Sequence, residues 1–402
     1  MRKFCIIAAG SFLSLFAATN AFADPCPAAD AGAVLVHGSS ASEPLIKAIA
    51  KVAAGQGVKV LYNSSKGSCG GGVYEAVTPV TDTTNSVGTW KTVFDAARQD
   101  ATCTIAEPRA ADIGVSDVYA SSCEGAGVVT TTLPPGVTDT LGPVQVFTLA
   151  VYDDPSFPVA ISAAAAFNIF GITANGGDAS FNVSPWTVVA DIFGRGADSG
   201  TWQTWARNLG LKPLRPVAMP ATNAPAVLSG INGANRSSAI GILALNDIVP
   251  DSSGVAPKVR PLAFKAKDQD FAYYPSSTST ASDLINVRDG HYQTWANLHF
   301  FARKDTGGDY SPSVKKVLGL LEGKDAVAAV AKIRAVPSCA MQVSRTADGG
   351  DFKLYTPVAP CGCFFEATAS GTAPTSCKTC TEGDGSTCGA NGQCVFGYCE
   401  AK

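Results

Sequence analysis

The chain has 402 residues, of which 46% are hydrophobic and 16% are charged. This apolar content excludes an intrinsically disordered chain, and the length leads us to expect two domains. The 30 Lys and Arg nearly balance the 33 Asp and Glu, so the formal net charge is -3. We therefore expect no nucleic-acid partner and no bulk attraction to an anionic membrane, and an anionic ligand needs a local site.

Residues 1–23 have the pattern of a secretory signal peptide. Arg2 and Lys3 precede an apolar stretch, and Ala21 and Ala23 occupy the -3 and -1 positions of the expected cleavage site. No later segment reaches about 18 consecutive apolar residues, the length that a membrane-spanning helix needs. The sequence predicts a periplasmic, secreted or cell-surface protein with no membrane span once the signal is removed.

Twelve of the 13 cysteines follow the signal peptide, and we expect disulfides because thiols are normally oxidised after export. Five lie in the body of the chain and seven near its end, so at least one disulfide must join the two sets. We expect Cys339 to pair with Cys361 or Cys363. A zinc site at Cys377-x-x-Cys380 is disfavoured, because no His follows His299, and we expect no metal and no cofactor.

The mature chain begins with a βαβ pattern. An apolar run at 33–36 predicts a strand, helical spacing of apolar residues at 45–52 predicts a helix, and 58–62 predicts a second strand. Such a unit implies parallel strands, whose ligand crevices lie beyond the carboxyl ends of the strands.

Polar or glycine-rich segments follow three predicted strands in succession. They are Ser39-Ser40-Ala41-Ser42 after the first, Lys66-Gly67-Ser68-Cys69-Gly70-Gly71-Gly72 after the second, and Ser116-Asp117 after a third strand at 111–115. A polar stretch at 78–109 separates the last two as an inserted excursion. Three strand ends thus bring hydroxyls, backbone N–H groups and one carboxylate to one edge of the sheet.

A crossing between two lobes is predicted at the apolar run 144–151. The second region contains a polar turn at 194–201, a helix from Trp202 and a strand at 239–243. A strand at 292–303 predicts the return, and 311–335 predicts closing helices. After about 337 the apolar periodicity fades, and only cross-links could hold the last 40 residues rigid.

These segments together resemble the periplasmic phosphate-binding proteins of phosphate ABC transporters, within the type 2 periplasmic binding protein family. The motifs are Gly38-Ser39-Ser40-Ala41-Ser42-Glu43-Pro44-Leu45, Gly67-Ser68-Cys69-Gly70-Gly71-Gly72-Val73, Ala111-Asp112-Ile113-Gly114-Val115-Ser116-Asp117, Ala190-Asp191-Ile192-Phe193, Ala239-Ile240-Gly241 and Asp289-Gly290-His291-Tyr292. Their order and spacing over 33–305 make the combination more specific than any one motif.

The resemblance implies an α/β fold of two lobes, with mixed, mainly parallel sheets and a hinge of two crossings. On this interpretation lobe 1 comprises 24–150 and 256–336, lobe 2 comprises 151–255, and 337–402 is a cysteine-rich disulfide tail outside the family pattern. It also implies phosphate or a similar tetrahedral oxyanion as the ligand, held between the lobes. An ABC transporter permease is the implied partner, and we expect a monomer.

The resemblance carries over to particular residues. In lobe 1 it implies phosphate binding by Ser40, Ala41, Ser42, Ser68, Gly70 and Asp117. In lobe 2 the family pattern of Arg, three residues and Ser-Gly-Thr matches Arg195, Ser199, Gly200 and Thr201. An alternative alignment places the second anion loop at Met219-Pro220-Ala221-Thr222-Asn223, which lacks an Arg. We favour Arg195 because it supplies positive charge. Each residue also has an ordinary structural interpretation as a helix cap or turn.

Two features depart from the family pattern. Glu43 lies in the first anion loop, where its carboxylate opposes a bound anion unless it points outward. Cys69 lies within the glycine-rich turn, where we expect a disulfide to Cys123 or Cys103.

Other classes of protein find less support in the sequence. Gly-x-Ser-x-Gly, Walker A and His-Glu-x-x-His motifs are lacking, and only three His occur, so we expect a binding protein and not an enzyme. The alternative is a secreted or surface-attached adhesion or structural protein on a binding-protein scaffold with no transport role, because the tail is independent of transport.

Overall fold

The computed structural model describes residues 24–30, 32–78, 89–98, 100–105, 110–124, 126, 128, 132–212, 215–233, 237–248 and 258–401. The predicted signal peptide and parts of the predicted excursion at 78–109 lie outside these ranges. Within them, none of the helices combines the length and the hydrophobicity that crossing a bilayer requires.

The β-strands are numbered in chain order. They are β1 Val34–Gly38, β2 Val60–Asn63, β3 Thr89–Thr92, β4 Thr102–Thr104, β5 Ile113–Ser116, β6 Val137–Tyr152, β7 Ala160–Ser162, β8 Ile192–Phe193, β9 Ile240–Ala244, β10 Val259–Pro261, β11 Ala263–Lys265, β12 Trp295–Arg303, β13 Val343–Ser344, β14 Lys353–Leu354, β15 Gly392–Val395 and β16 Tyr398–Ala401.

The α-helices are α1 Glu43–Gly55, α2 Tyr74–Val77, α3 Ala163–Phe167, α4 Gly200–Leu209, α5 Ala224–Gly233, α6 Ile285–Arg288, α7 Pro312–Leu320, α8 Lys324–Lys332 and α9 Gly362–Ser370. Helix α1 shows why these segments are helical. A proline stands in its first turn, where no backbone N–H is needed, and Leu45, Ile46 and Ile49 fall on one buried face.

Among the described residues, the main sheet has ten strands in the order β4-β3-β2-β1-β5-β12-β6-β9-β8, with β10 also paired to β6. The predicted mixed α/β sheet is confirmed. Parallel pairs join β1 to β2 and to β5, and β8 to β9. We expected parallel pairing to predominate, and it does not. The crossing strands and the excursion strands β3 and β4 all pair antiparallel.

Two strands cross between the halves of the molecule, which confirms the expected hinge. Strand β6 pairs with β12 along its first half, and from Phe147 it pairs with β9 and then β10. Strand β12 pairs with both β6 and β5. The crossing at β6 begins at Val137, earlier than the predicted 144, because Thr138, Asp139 and Thr140 interrupt the apolar pattern.

The buried side chains form two large clusters. The first joins β1, β2, β5 and α1 with α7 and α8, and the second joins β6, β9, α4 and α5. We predicted that 256–336 returns to the first lobe. The structure instead places Leu262, Phe264 and Leu284 in the second cluster, because β10 pairs with β6 and β11 with β7. The predicted boundary near 255 itself lies outside the described residues.

The cysteines form six disulfides in the described part of the chain. Cys339–Cys361 links the body to the C-terminal segment, and Cys69–Cys123 links the glycine-rich turn to the turn after β5, as predicted in both cases. The others are Cys26–Cys103, Cys363–Cys377, Cys380–Cys394 and Cys388–Cys399. Cys377 and Cys380 thus have different disulfide partners. The predicted loop-rich tail contains a helix, α9, and a hairpin of β15 and β16.

Candidate functional site

Asp117 is the buried centre of the candidate site. It follows β5 directly, so the end of a buried parallel strand fixes its position. Its Oδ1 accepts a hydrogen bond from the Ser68 hydroxyl, and its Oδ2 has no partner among the described residues. Burial raises the pKa of Asp117, while the hydroxyls of Ser68 and Ser39 and the charge of Arg195 act in the opposite direction. The carboxyl group therefore retains a proton more readily here than in water.

The two halves of the molecule meet at Gly200. A Cβ at this position would lie 1.8 Å from Oδ1 of Asp117 and 2.7 Å from Oγ of Ser68. Only glycine permits this approach, so a residue of the second half packs directly against the acidic group of the first. The predicted residues Ser68, Asp117 and Gly200 are therefore brought together.

The first loop leads into α1 through a short 3-10 helix at Ser40–Ser42. Ser39 caps this turn, with its hydroxyl accepting from the Ala41 N–H at 3.2 Å. The Ser42 side chain is buried, and its hydroxyl has no partner in the described part of the chain. The N–H groups of Ala41 and Ser42 are both bonded to Ser39, so the Ser42 hydroxyl is the donor that this loop keeps for an anion.

The glycine-rich turn is helical, contrary to the prediction of a plain turn. Residues Ser68–Val73 form a π-helix that begins after Gly67 and continues into α2, so Gly70 lies within this helix. Because Cys69 is bonded to Cys123, the turn is fixed beside Ser68. The Cys69 N–H donates to the Asp198 carbonyl at 3.3 Å, which is a second contact between the halves.

Arg195 supplies the positive charge of the candidate site. The side chain is buried, and its Nη2 donates to the Ser40 hydroxyl at 3.2 Å and to the Thr222 carbonyl at 3.3 Å. Its Nε has no partner among the residues described. Burial lowers the pKa of Arg195, and the charges of Asp247, Asp117 and Asp198 oppose this effect. A guanidinium held this way keeps donors for an anionic ligand.

Helix α4 begins at Gly200 with Ser199 as its N-cap, and the Ser199 side chain makes no capping hydrogen bond. Its first N–H groups, which include that of the buried Thr201, therefore have no acceptor within the helix. The partial positive charge of this helix end points at the region where Asp117 lies.

The alternative loop at 219–223 is hydrogen-bonded to the loop at 194–201. Ala221 N–H donates to the Gly194 carbonyl at 2.9 Å, and the Thr222 carbonyl accepts from Arg195. Asn223 Oδ1 accepts from Ala226 N–H at 2.9 Å, so a side chain already caps helix α5. Both loops line one cavity of about 310 Å³, together with Ser40, Ser64, Ser65 and Gly67.

Glu43, whose charge opposed anion binding in the sequence interpretation, belongs to a separate ion-pair cluster. Its carboxylate lies 2.8 Å from Lys91 and 3.1 Å from Lys47, and it accepts from the Ser64 hydroxyl. These partners neutralise the negative charge at the start of α1.

Sequence reasoning missed two polar residues near the site. Asn246 Nδ2 donates to the Ala41 carbonyl at 3.2 Å and so links the second half to the first anion loop. Burial raises the pKa of the neighbouring Asp247 to about 7, an effect that the charge of Arg195 partly offsets. Both residues lie in the short 3-10 helix Leu245–Ile248 after the buried strand β9, from which Leu245 separates them, so the signal of polar residues after a buried strand was weaker here than at Asp117.

The arrangement suits a small, partly protonated anion. The start of helix α4, the Arg195 guanidinium and the Ser42 hydroxyl offer donors, and the Asp117 carboxyl group offers an acceptor.

No family model and no curated protein matches this chain. Among solved structures, a phosphate ABC transporter substrate-binding protein with bound phosphate from Clostridium perfringens is 15% identical, with a TM-score of 0.49 over 76% of this chain and 99% of its own. A possible phosphate-binding protein from Planctomyces limnophilus is 14% identical, with a TM-score of 0.43 over 76% and 93%. An ABC-type phosphate transport receptor from Vibrio cholerae is 12% identical, with a TM-score of 0.44 over 75% and 99%.

Proposed function

We propose that this protein is an exported solute-binding protein that captures inorganic phosphate, or a similar tetrahedral oxyanion, between its two halves. The observation that carries the proposal is the burial of Asp117 beside Gly200, with Asp117 Oδ2, Arg195 Nε and Ser42 Oγ all lacking a partner in the described chain. Buried polar atoms without partners are costly, and a bound oxyanion satisfies all three kinds of group.

Asp117 gives the proposed site its specificity. Monohydrogen and dihydrogen phosphate carry a proton that a carboxylate can accept, whereas fully ionised sulfate offers only lone pairs. Leaving a buried charged acceptor unpaired costs about 1–3 kcal/mol or more. This difference separates two anions of nearly equal size by about tenfold or more.

The remaining parts of the proposal concern assembly and location. We place the protein in the periplasm or at the cell surface, as a monomer that delivers its ligand to an ABC importer. We take the two buried clusters as the two lobes, and the disulfide-rich segment from 337 packs against the second of them through Ala340, Met341 and Phe365. The proposed anion contacts are those of Ser40, Ala41, Ser42, Ser68, Gly70, Asp117, Arg195, Ser199, Gly200 and Thr201.

Isothermal titration calorimetry of the exported form with phosphate, sulfate and molybdate tests the proposal. We expect micromolar or tighter binding of phosphate and at least tenfold weaker binding of sulfate. Absence of binding by all three anions would remove the proposed function and leave the adhesion alternative.

The variant Asp117→Asn tests the role of the carboxyl group. We expect phosphate affinity to fall at least tenfold, because the amide replaces one acceptor oxygen of the carboxylate with an NH2 donor. The melting temperature should stay equal or rise, since burial raises the pKa of Asp117 and its charged form therefore costs stability at neutral pH. Asp325→Asn, at an exposed position, is the matched control. Equal phosphate affinities for Asp117→Asn and the parent would remove Asp117 from the site.

A further inference from the structure

A hairpin loop from the C-terminal region lies across both halves of the molecule. Strands β13 and β14 pair antiparallel, and residues 345–350 of the connecting loop are here called the strap. The hairpin follows Cys339, which is bonded to Cys361. The strap is therefore fixed to the cysteine-rich segment as well as to the body.

The strap contacts the first half through Asp348. Its Oδ2 accepts from the Tyr119 N–H at 2.9 Å and from the Ser122 hydroxyl at 2.5 Å. The Tyr119 hydroxyl in turn donates to the Arg345 carbonyl at 2.7 Å. Asp348 is buried, so these hydrogen bonds to a carboxyl group are shielded from water and stronger than exposed ones.

The strap contacts the second half at helix α4. Gly349 has φ +70°, and a Cβ there would lie 2.8 Å from Cβ of Arg207, so glycine is required for both reasons. Arg207 Nη2 also donates to the Ser122 carbonyl at 3.1 Å. Burial raises the pKa of Asp348, and the Ser122 hydroxyl and the positive charges of His299 and Arg207 act in the opposite direction. The strap, the turn after β5 and helix α4 thus meet at one point.

The base of the strap is held on a crossing strand. The Arg345 guanidinium contacts the rings of Trp295 and Phe352, at 4.0 and 4.4 Å from their centroids. Its Nη2 donates to the Gln293 carbonyl at 2.7 Å. This anchor orients Asp348 toward the two halves.

Each contact of the strap lies close to one of the proposed anion loops. Ser122 precedes Cys123, whose disulfide holds Cys69 next to Ser68. On the other side, Arg207 Nη1 donates to the Gln203 carbonyl at 3.2 Å, and Gln203 Nε2 donates to the Ala197 carbonyl at 2.5 Å. Ala197 lies between Arg195 and Ser199 in the second loop.

We infer that Asp348 is a positioning residue that holds the two halves closed at the anion site. The expected effect on anion release rests on the proposed function, whereas the expected effect on closure needs no ligand. Because closure here depends on buried protein contacts in addition to the anion, opening is rare and release of the anion is slow. The C-terminal region thereby becomes part of the binding machinery.

The test compares the full exported chain with Asp348→Ala, Asp348→Asn and Tyr119→Phe. Small-angle X-ray scattering without any anion should give the parent the radius of gyration of a compact chain of this length, about 21 Å, and give Asp348→Ala a larger value. Stopped-flow measurement of phosphate release should show Asp348→Ala releasing about tenfold faster, because two hydrogen bonds to a buried carboxyl group are lost. Asp348→Asn keeps a carbonyl acceptor and should restore most of both properties.

The control is Asp351→Ala, an exposed residue of the same hairpin loop, which should match the parent in both measurements. If Asp348→Ala fails to fold, Tyr119→Phe removes a single hydroxyl and should still accelerate release about threefold. A folded Asp348→Ala that scatters and releases like the parent would overturn the inference. If the parent binds no phosphate, the proposed function fails, and the scattering comparison alone decides the role of Asp348.

Discussion

The body of the chain and its C-terminal segment are stabilised in different ways. The body, up to about residue 336, buries two large apolar clusters around a ten-stranded sheet. In the segment from Gly362 to Ala401, Phe365 and Glu400 are the buried side chains, and three disulfides lie wholly within it. The comparison shows that apolar burial stabilises one region and covalent cross-links stabilise the other.

The C-terminal segment is nevertheless docked on the body by specific contacts. Arg288 forms an ion pair with Glu366 and lies over the ring of Phe365. Lys324 of helix α8 forms a second ion pair with the segment, at 2.6 Å from Glu382. Cross-links provide the rigidity of this segment, and these few polar contacts fix its place.

The first and largest prediction contrasts two leucines. Leu35 is buried in β1, and Leu354 is 94% exposed in β14. We expect Leu35→Ala to lower the free energy of unfolding by about 3 to 5 kcal/mol because it leaves a cavity. Leu354→Ala should change it by less than about 0.5 kcal/mol. Denaturant unfolding checks both, and comparable losses for the two variants would contradict the contrast.

The second prediction concerns a cross-link of the C-terminal segment. Replacing Cys380 and Cys394, which are 14 residues apart, with serine should destabilise that segment by about 3 kcal/mol. Hydrogen exchange should accelerate in 377–401 and stay unchanged in β1 and β5. The double variant Cys69→Ser and Cys123→Ser is the comparison, since it should accelerate exchange in the body beside Ser68. Faster exchange throughout the body in the Cys380 variant would show that the regions are not independent.

The third and smallest prediction concerns pH. The pKa of Asp247 rises from 3.8 to about 7 on burial in the folded chain. Between these values the native state keeps a proton that the unfolded state releases, so the stability of the body decreases as the pH rises through this window. Asp247→Asn should therefore be more stable than the parent at pH 8 and nearly equal to it near pH 4. Thermal unfolding at both pH values measures this, and a parallel pH dependence in parent and variant would exclude Asp247 as its source.

Much of the fold could be predicted from local patterns. Continuous apolar runs gave β1, β5 and β9, and helical spacing gave α1, α7 and α8. The start of β6 could not be found this way, because its polar residues are stabilised by pairing with β12, which lies far along the chain. The pairing of β10 with β6 and of β11 with β7 was missed for the same reason. Because of these pairings, 259–292 packs in the second cluster and not in the first.

The candidate site was predictable where polar residues directly follow buried strands, as Ser39 to Ser42 and Asp117 do. The orientation of Glu43 depends on Lys91, which belongs to the distant strand β3. Asp348 lies 229 residues from Tyr119, and nothing local in either segment indicates that they meet. Contacts between remote segments therefore account for what the sequence alone did not provide.

The disulfide between Cys69 and Cys123 makes the glycine-rich turn sensitive to its redox surroundings. A newly synthesised chain carries two thiols at these positions, and the turn beside Ser68 then lacks its covalent restraint. The proposed site is complete only after oxidation. A precursor retained in a reducing cytoplasm would thus bind the anion only weakly. Strong binding would be gained when the exported chain is oxidised.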